Sequence, residues 1–228
     1  MKQIPSILAI AFFLLISCQQ EESPIKSGKG ILSLTSVEVQ AETVSQITTR
    51  AVAPGLIIEI IKEDGTTAAK YDEGATEATE KIVLDAGNYT LKAYSPNYGT
   101  IWSNNEKGEP IYYKEQTFTI TAEKTSYLTL QVPMTNIGIR LVLPGNFSDY
   151  FDSHIFHAQI GERSVSLQNG ETAYFPFPES SGIHLQYTLS AVNKDHETMQ
   201  KEATYNGTFV AGHLYEVTYS LATRSLTW

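Results

Sequence analysis

Apolar side chains recur at every second position through most of this chain. In residues 82–93, for example, Tyr89, Leu91 and Ala93 fall on one face of an extended backbone. This alternation is typical of antiparallel strands with one buried face. Similar runs occur at residues 117–121, 128–132, 137–143, 183–189 and 215–221. Because no stretch has a sustained helical period, the sequence predicts an all-β fold.

Two strands near the N-terminal end depart from simple alternation. Isoleucines occupy both parities in residues 56–61, which predicts a strand that is covered on both faces or central to a sandwich. The run at residues 31–39 changes parity between Leu34 and Val37. This change predicts a β-bulge near Thr35 and Ser36.

A chain of 228 residues has room for one large domain or two smaller ones. Residues 86–95 and 211–220 both begin with Ala-Gly and contain an alternating run that ends in Tyr-Ser, so we interpret them as the same late hairpin in two related units. Pro133 falls between the two sets of strands, and proline cannot donate a ladder hydrogen bond. The sequence therefore predicts two tandem β-sandwiches, at residues 30–133 and 134–228.

The N-terminal residues contain a targeting signal. Lys2 precedes an apolar run over residues 4–16, which is too short to cross a bilayer and is typical of a signal peptide. The run ends in Leu-Ile-Ser-Cys, which resembles the bacterial lipobox, where the cysteine sulfur receives a diacylglyceryl group. We therefore predict a signal peptide at residues 1–17 and lipid attachment at Cys18, the only cysteine. An ordinary buried cysteine after an uncleaved anchor is the alternative.

The next segment predicts where the lipid places the protein. Residues 18–29 are polar and are predicted to form a flexible tether. Within it, Glu21 and Glu22 resemble the surface-export signal of lipoproteins in the Bacteroidetes, although a solvated charge pair is the alternative. The predicted location is the cell outer membrane, surface-exposed, with the lipid as the membrane contact.

Charge and reactive residues exclude several functions. A net charge of -9 and a pI near 5.0, without a Lys/Arg cluster, argue against a nucleic-acid partner. The chain has no Gly-x-Ser-x-Gly elbow, and its one cysteine is assigned to lipid. His154 and His157 would lie on opposite faces of a strand, where they cannot share a metal ion. We therefore predict no enzyme activity, no catalytic residue, no metal site and no cofactor.

Aromatic residues are concentrated between residues 94 and 113, among Ser, Asn and Gly. Aromatic rings stack on the apolar faces of sugars, so this segment predicts a contact with a glycan or a partner. In the alternative interpretation, the rings close one end of the first sandwich or face the second. The residues concerned are Tyr94, Tyr98, Trp102, Tyr112 and Tyr113.

Three stretches together suggest a family. Residues 29–34 with 47–51, residues 84–94 and residues 111–120 resemble, in order and spacing, the Bacteroidales lipoproteins grouped as domain of unknown function 4493. The resemblance extends from residue 30 to about residue 151 and more loosely to the end. It implies a cell-envelope lipoprotein with immunoglobulin- or transthyretin-like sandwiches and no assigned activity.

The same layout resembles the fimbrillins, pilin subunits that are made as lipoproteins with two β-sandwich domains. In fimbrillins an arginine-specific protease removes the first strand, and a strand of the next subunit fills the groove. The resemblance implies a cut between Arg50 and Ala51 that frees residues 31–39. In the alternative, Arg50 is a charged loop residue and the strand stays in place.

These observations predict a non-enzymatic, lipid-anchored surface protein of the adhesin or fimbrillin-like kind. Its partners would be other pilin or surface proteins. The alternative function is a glycan-binding surface lipoprotein of a polysaccharide-uptake system.

Overall fold

The computed structural model describes residues 25–40, 42–43, 55–73, 81–178 and 183–227. Every regular element within these ranges is a β-strand, apart from a 3-10 turn at Phe147–Asp149. The first eight strands are β1 (Lys29–Gln40), β2 (Glu42–Thr43), β3 (Ile57–Lys62), β4 (Thr67–Tyr71), β5 (Lys81–Asp85), β6 (Gly87–Tyr94), β7 (Tyr113–Ile120) and β8 (Thr125–Pro133). The others are β9 (Ile137–Val142), β10 (Phe151–Ile160), β11 (Arg163–Leu167), β12 (Thr172–Phe175), β13 (Leu185–Asn193), β14 (Thr198–Tyr205), β15 (His213–Ser220) and β16 (Ser225–Thr227). The all-β prediction is confirmed.

The strands form four sheets that make two sandwiches. In the first sandwich the sheets have the orders β5-β1-β8 and β4-β3-β6-β7. In the second they have the orders β12-β9-β15-β16 and β11-β10-β13-β14. β1 is antiparallel to β5 and parallel to β8, just as β9 is antiparallel to β12 and parallel to β15. Seven strands therefore recur in the same arrangement, and the prediction of tandem β-sandwiches is confirmed.

Each sandwich has its own apolar core, because the buried face of every strand points between its two sheets. Met134 is the last residue of the first core and Ile137 is the first residue of the second. Burying one such aliphatic side chain stabilises the fold by roughly 1.5–3 kcal/mol. The largest fully buried side chains are Tyr112, Phe156, Phe175, Leu32, Ile60, Leu91, Ile120, Leu130, Ile137, Ile139, Leu141 and Leu167.

The interpretation of residues 86–95 and 211–220 as equivalent hairpins is wrong. The first segment contains β6, which is antiparallel to both of its neighbours, β3 and β7. The second contains β15, which is parallel to β9 and so corresponds to β8. Every strand with one buried face has period-two alternation. The similarity between residues 86–95 and 211–220 therefore shows that both are half-buried strands after a glycine turn, and it does not show that they have the same place in their sandwiches.

The two irregular strands have different outcomes. The register of β1 against β8 shifts between Leu34 and Ser36, which confirms the predicted bulge. In β3, Ile58 and Ile60 are buried, but Ile57 and Ile61 are only half-buried. One face of this strand is therefore only partly covered, and its inner place in the β4-β3-β6-β7 sheet agrees with the second alternative, a strand central to a sandwich.

A short joint connects the sandwiches and is tightly hydrogen-bonded. Asn136 is 3% exposed, and its side chain accepts from the Ile111 N–H at 3.0 Å and donates to the Glu109 carbonyl at 2.9 Å. Its own carbonyl accepts from the Gly212 N–H at 2.9 Å. Gly212 has φ +82, and a Cβ there would lie 3.0 Å from the Met134 carbonyl oxygen. Glycine therefore fits the close approach of β15 to the joint.

A loop of the first sandwich also lies on the second, and we call residues 103–109 the clasp loop. Its Asn105 N–H donates to the Ser164 carbonyl at 2.9 Å, and its Lys107 carbonyl accepts from the Tyr174 N–H at 2.7 Å. The Arg163 guanidinium donates to the Tyr174 and Glu106 carbonyls. The clasp loop therefore bridges the edge strands β11 and β12 of the two sheets.

The direction of the strands gives the molecule two ends. β8 runs toward the joint, while β9 and β15 run away from it. The turns that follow β9, β13 and β15 therefore lie at the end of the second sandwich far from the joint. Because β1 is parallel to β8, its first residue, Lys29, lies at the far end of the first sandwich.

Candidate functional site

Three of the predicted aromatic residues come together on the first sandwich. Tyr94 and Tyr113 are cross-strand partners on the outer face of β6 and β7. The Tyr98 ring stacks on the Tyr113 ring with centroids 4.5 Å apart and lies 5.9 Å from the Tyr94 ring. Tyr98 is 48% exposed, so this tyrosine cluster (Tyr94, Tyr98 and Tyr113) presents an aromatic surface to solvent.

Carboxylates border the tyrosine cluster. The Tyr113 hydroxyl donates to Glu115 Oε2 at 2.6 Å, and the Tyr94 hydroxyl donates to Glu59 Oε2 at 3.5 Å. The bond to the Glu115 carboxylate, followed by burial, raises the pKa of Tyr113 to about 12, since a phenolate would lose the bond and face a second negative charge. The Tyr113 phenol therefore stays neutral, and the carboxylates keep lone pairs that accept hydrogen bonds from hydroxyl groups.

The two other predicted aromatic residues lie elsewhere. Tyr112 is 1% exposed in the first core, and burial raises its pKa. Trp102 is half-buried against Gly108 in the clasp loop, where a Cβ would lie 2.9 Å from the indole at a φ of +68. These two side chains serve packing near the joint, so only part of the segment forms a surface.

A second concave surface, which the sequence did not indicate, lies at the far end of the second sandwich. The three turns after β9, β13 and β15 surround a cleft of about 830 Å³, which we call the distal cleft. In its floor the rings of Phe151 and Tyr219 have centroids 6.3 Å apart, and the Tyr219 hydroxyl donates to Met199 Sδ at 3.2 Å. Tyr150 is 54% exposed at its rim.

The charged groups of the distal cleft divide into paired and unpaired ones. Lys194 is paired: its Nζ lies 2.6 Å from the carboxylate of Asp152, a residue that does not line the cleft, and it lowers the pKa of that carboxyl. The side chains of Lys201 and Arg224, on β14 and after β15, make no ion pair or hydrogen bond with the described residues. Asp149 and Asp195, from the other two turns, are exposed. Glu197 also lines the cleft and accepts from Asn193 Nδ2, so the distal cleft offers both cations and carboxylates.

No short motif signals the distal cleft, because its residues come from three separate segments, at residues 149–151, 193–201 and 219–224. Only the pairing of β10 with β13, and of β9 with β15, brings these turns to one end. Phe147 is buried and Tyr150 is exposed, but two aromatic residues at this spacing do not specifically indicate a cleft.

His154 and His157 lie on opposite faces of β10, as their spacing predicted. His154 points toward the core side of β10, where its Nε2 accepts from the Asn169 N–H at 3.1 Å, while His157 points outward and its Nδ1 lies 2.9 Å from Ser166 Oγ. Among the described residues, no three His, Cys, Asp or Glu side chains are grouped to hold a metal ion. No helix in that part of the chain is long and apolar enough to span a bilayer. The predicted lipidation residue Cys18 and the predicted cut between Arg50 and Ala51 lie outside the described residues.

The fold places this chain in the class of all-β proteins with two tandem sandwiches. A family can also be assigned. The family model described as "Domain of unknown function (DUF4493)" matches residues 28–226. The chain belongs to this family, as its resemblance implied. No curated protein sequence matches it.

Several solved structures with a similar fold come from Bacteroides. A candidate cell adhesion protein from Bacteroides fragilis has 12% identity and a TM-score of 0.47 over 89% of this chain and 97% of that one. A candidate adhesin from Bacteroides ovatus has 10% identity and a TM-score of 0.48 over 90% and 92%. A candidate polysaccharide-binding protein from Bacteroides thetaiotaomicron has 10% identity and a TM-score of 0.40 over 85% and 91%. At these values the likeness does not extend to function.

Proposed function

We propose that this protein is a non-enzymatic lipoprotein that is anchored through Cys18 to the outer membrane and mediates adhesion or assembly at the cell surface. A signal peptide at residues 1–17 directs export, and residues 18–29 connect the lipid to the first sandwich. Several acyl chains on one residue hold such a domain at a membrane, since each buried methylene contributes roughly 0.8 kcal/mol.

The direction in which the strands run supports this proposal. The chain enters the first sandwich at Lys29, at the end far from the joint, shortly after Cys18. The second sandwich follows with its strands β9 and β15 leading away from the joint. An anchor at Cys18 would therefore leave the turns of the second sandwich at the opposite end, which suits a protein that contacts something outside the cell.

Metabolic labelling tests the anchor directly. Cells that express the protein are fed an alkyne fatty acid, and the protein is captured and its label measured. The native chain is expected to be labelled, and Cys18→Ser is expected to lose the label. Brief proteolysis of intact cells then tests exposure. A native chain without label, or one fully protected from protease on intact cells, would contradict the proposal.

Assembly through strand exchange is the finer form of the proposal. β1 is the central strand of its sheet, hydrogen-bonded to β5 on one side and to β8 on the other. A cut after Arg50 would detach β1 and β2 from the rest of the chain covalently. Loss of β1 would expose two unpaired strand edges above an apolar floor, which a strand from another subunit could fill.

N-terminal sequencing of protein taken from the cell surface tests the processing. A fragment that begins at Ala51 is expected if the chain polymerises, and Arg50→Gln should abolish it. Incubation of the purified mature form with an arginine-specific protease should then yield polymers. A lipidated start at Cys18 in every molecule, with no such fragment, would refute this form and leave adhesion as a monomer.

Glycan binding is the second candidate function, and the tyrosine cluster favours it. The stacked rings of Tyr98 and Tyr113 offer a flat apolar surface, and Glu59 and Glu115 offer acceptors for sugar hydroxyls beside it. This combination of an aromatic platform and nearby polar groups is typical of sugar sites.

Two alanine variants separate a sugar site from packing. Tyr98→Ala removes an exposed ring and is expected to abolish binding on a glycan array while leaving the melting temperature unchanged. Trp102→Ala is the packing control, and it is expected to lower the melting temperature. Array binding that persists in Tyr98→Ala, or that is absent in the parent, would exclude the cluster as a glycan site.

A further inference from the structure

The distal cleft combines three features that point to a ligand. Its volume of about 830 Å³ lies within the roughly 300–1,000 Å³ of small-molecule sites. Its floor contains the rings of Phe151 and Tyr219, and its rim carries the exposed Tyr150. It also lies at the end of the molecule opposite Lys29, where an anchored protein would meet its target first.

The charges identify the ligand chemistry. Lys201 and Arg224 have no side-chain partner among the described residues, so a neutral ligand would leave both without a counter-charge. Asp149 and Asp195 also line the cleft, where they accept hydrogen bonds but repel other carboxylates. The matching ligand has both a carboxylate and hydroxyl donors. A sugar acid has both of these, on a ring whose apolar face stacks on an aromatic side chain.

We propose that the distal cleft binds a short glycan that contains a hexuronic acid. The carboxylate of the sugar accepts from Lys201 and Arg224, its hydroxyls donate to Asp149 and Asp195, and its ring packs on the aromatic residues. An acidic peptide fits less well, because it has carboxylates but no hydroxyls to donate to Asp149 and Asp195. This site deepens the proposed surface role and rests on it for its biological sense, but it involves only residues of the second sandwich.

Titration of the purified mature chain tests the proposal. Trigalacturonate, maltotriose and a tri-glutamate peptide are added separately, and binding is followed by calorimetry and by amide NMR shifts. We expect trigalacturonate to bind, to shift amides of the three turns, and to weaken as salt screens the charges. Maltotriose and tri-glutamate are expected to bind at least roughly tenfold more weakly, since each lacks one half of the match.

Charge-matched variants locate the site. Lys201→Gln with Arg224→Gln is expected to weaken trigalacturonate binding by roughly 10- to 100-fold, as for the loss of charge-assisted hydrogen bonds. Lys114→Gln with Lys124→Gln changes the net charge equally on the first sandwich and is expected to bind like the parent. Trp102→Ala affects neither group, so it checks that binding does not follow stability.

Several outcomes would overturn the proposal. These are no binding of trigalacturonate, equal binding of maltotriose or tri-glutamate, and unchanged binding in the Lys201 and Arg224 variant. None of them would affect fatty-acid labelling of Cys18 or proteolysis on intact cells, so failure of this site is distinguishable from failure of the proposed anchor.

Discussion

Asn136 shows how one buried amide holds two sandwiches in place. Its side chain satisfies the Ile111 N–H and the Glu109 carbonyl, and its carbonyl accepts from Gly212. Buried backbone groups need such partners, since each unsatisfied one costs about 1–3 kcal/mol. Asn136 therefore provides hydrogen bonds to the backbone where the chain passes from the first sandwich to the second.

We expect Asn136→Ala to lower the free energy of unfolding by about 1–3 kcal/mol, because it removes the partner of two part-buried backbone groups, the Ile111 N–H and the Glu109 carbonyl. Asn146→Ala is the control, since Asn146 is exposed and makes no capping hydrogen bond with its side chain. Urea denaturation of both variants measures the difference. Equal stabilities would show that the amide of Asn136 contributes little.

His154 should make stability depend on pH. Burial lowers its pKa, and its Nε2 accepts from the Asn169 N–H, so the folded chain holds the neutral imidazole. A histidine whose folded pKa lies below its unfolded value contributes stability above the unfolded pKa, and this contribution is lost as the pH falls toward the folded value. The window therefore opens below the ordinary histidine pKa of about 6.5.

Denaturation at several pH values between about 7.5 and 5 tests this, because the unfolded histidine titrates in that range. The parent is expected to lose stability as the pH falls, and His154→Phe is expected to lose less. His184→Phe, at an exposed position, is the control and should keep the slope of the parent. The same slope in His154→Phe as in the parent would refute this assignment.

Among the elements, β1 decides whether a nick at Arg50 has any consequence. It is bonded to β5 and to β8, and its Leu32 and Leu34 are 0% and 5% exposed in the first core. β2 adds a short parallel pairing with β15 of the second sandwich at His213 and Leu214. A cut chain is therefore held by two sheets without any covalent bond.

In protein too dilute for one subunit to displace β1 of another, we expect the N-terminal fragment to stay bound after a nick at Arg50 and to elute with the rest of the chain on gel filtration. Leu32→Ala should weaken this association by about 2–5 kcal/mol, because it creates a cavity in the core. Val83→Ala, at a position 55% exposed on β5, is the control. Spontaneous loss of the fragment from the nicked parent would contradict the expected retention.

At the scale of the whole molecule, the clasp loop couples the two sandwiches. The Arg163 guanidinium bonds to carbonyls on both sides of the contact and lies 4.6 Å from the Phe175 ring centroid. The Lys107 ammonium adds an ion pair with Glu171, which lowers the pKa of that carboxyl. The contact is mostly polar and joins edge strands, and Tyr174 of β12 also packs against the first core.

We expect Arg163→Ala to lower this coupling by about 1–3 kcal/mol, since two carbonyls lose a charged donor. Thermal unfolding followed by calorimetry should change from one transition in the parent to two in the variant. Arg224→Ala, at the far end of the second sandwich, is the control and should keep one transition. A single transition in Arg163→Ala would show that the joint alone couples the sandwiches.

The strands themselves are predictable, and their arrangement is less so. Period-two alternation in residues 82–93 predicts β5 and β6, and the parity change near Thr35 predicts the bulge of β1. The repeat of the two sandwiches was also expected, but from two segments that prove not to be equivalent. Of the five aromatic residues predicted to form a contact surface, Tyr94, Tyr98 and Tyr113 form the tyrosine cluster, whereas Tyr112 and Trp102 pack inward.

The sequence by itself determined the all-β fold, because alternation and turn residues are local properties of the chain, and the order and spacing of three stretches indicated the family. Only the tertiary structure decided which strands are neighbours, that β1 lies in the middle of its sheet, and that three distant turns form the distal cleft. Those outcomes depend on contacts between residues far apart in sequence, and a strand with one buried face satisfies the same local pattern beside any of several partners.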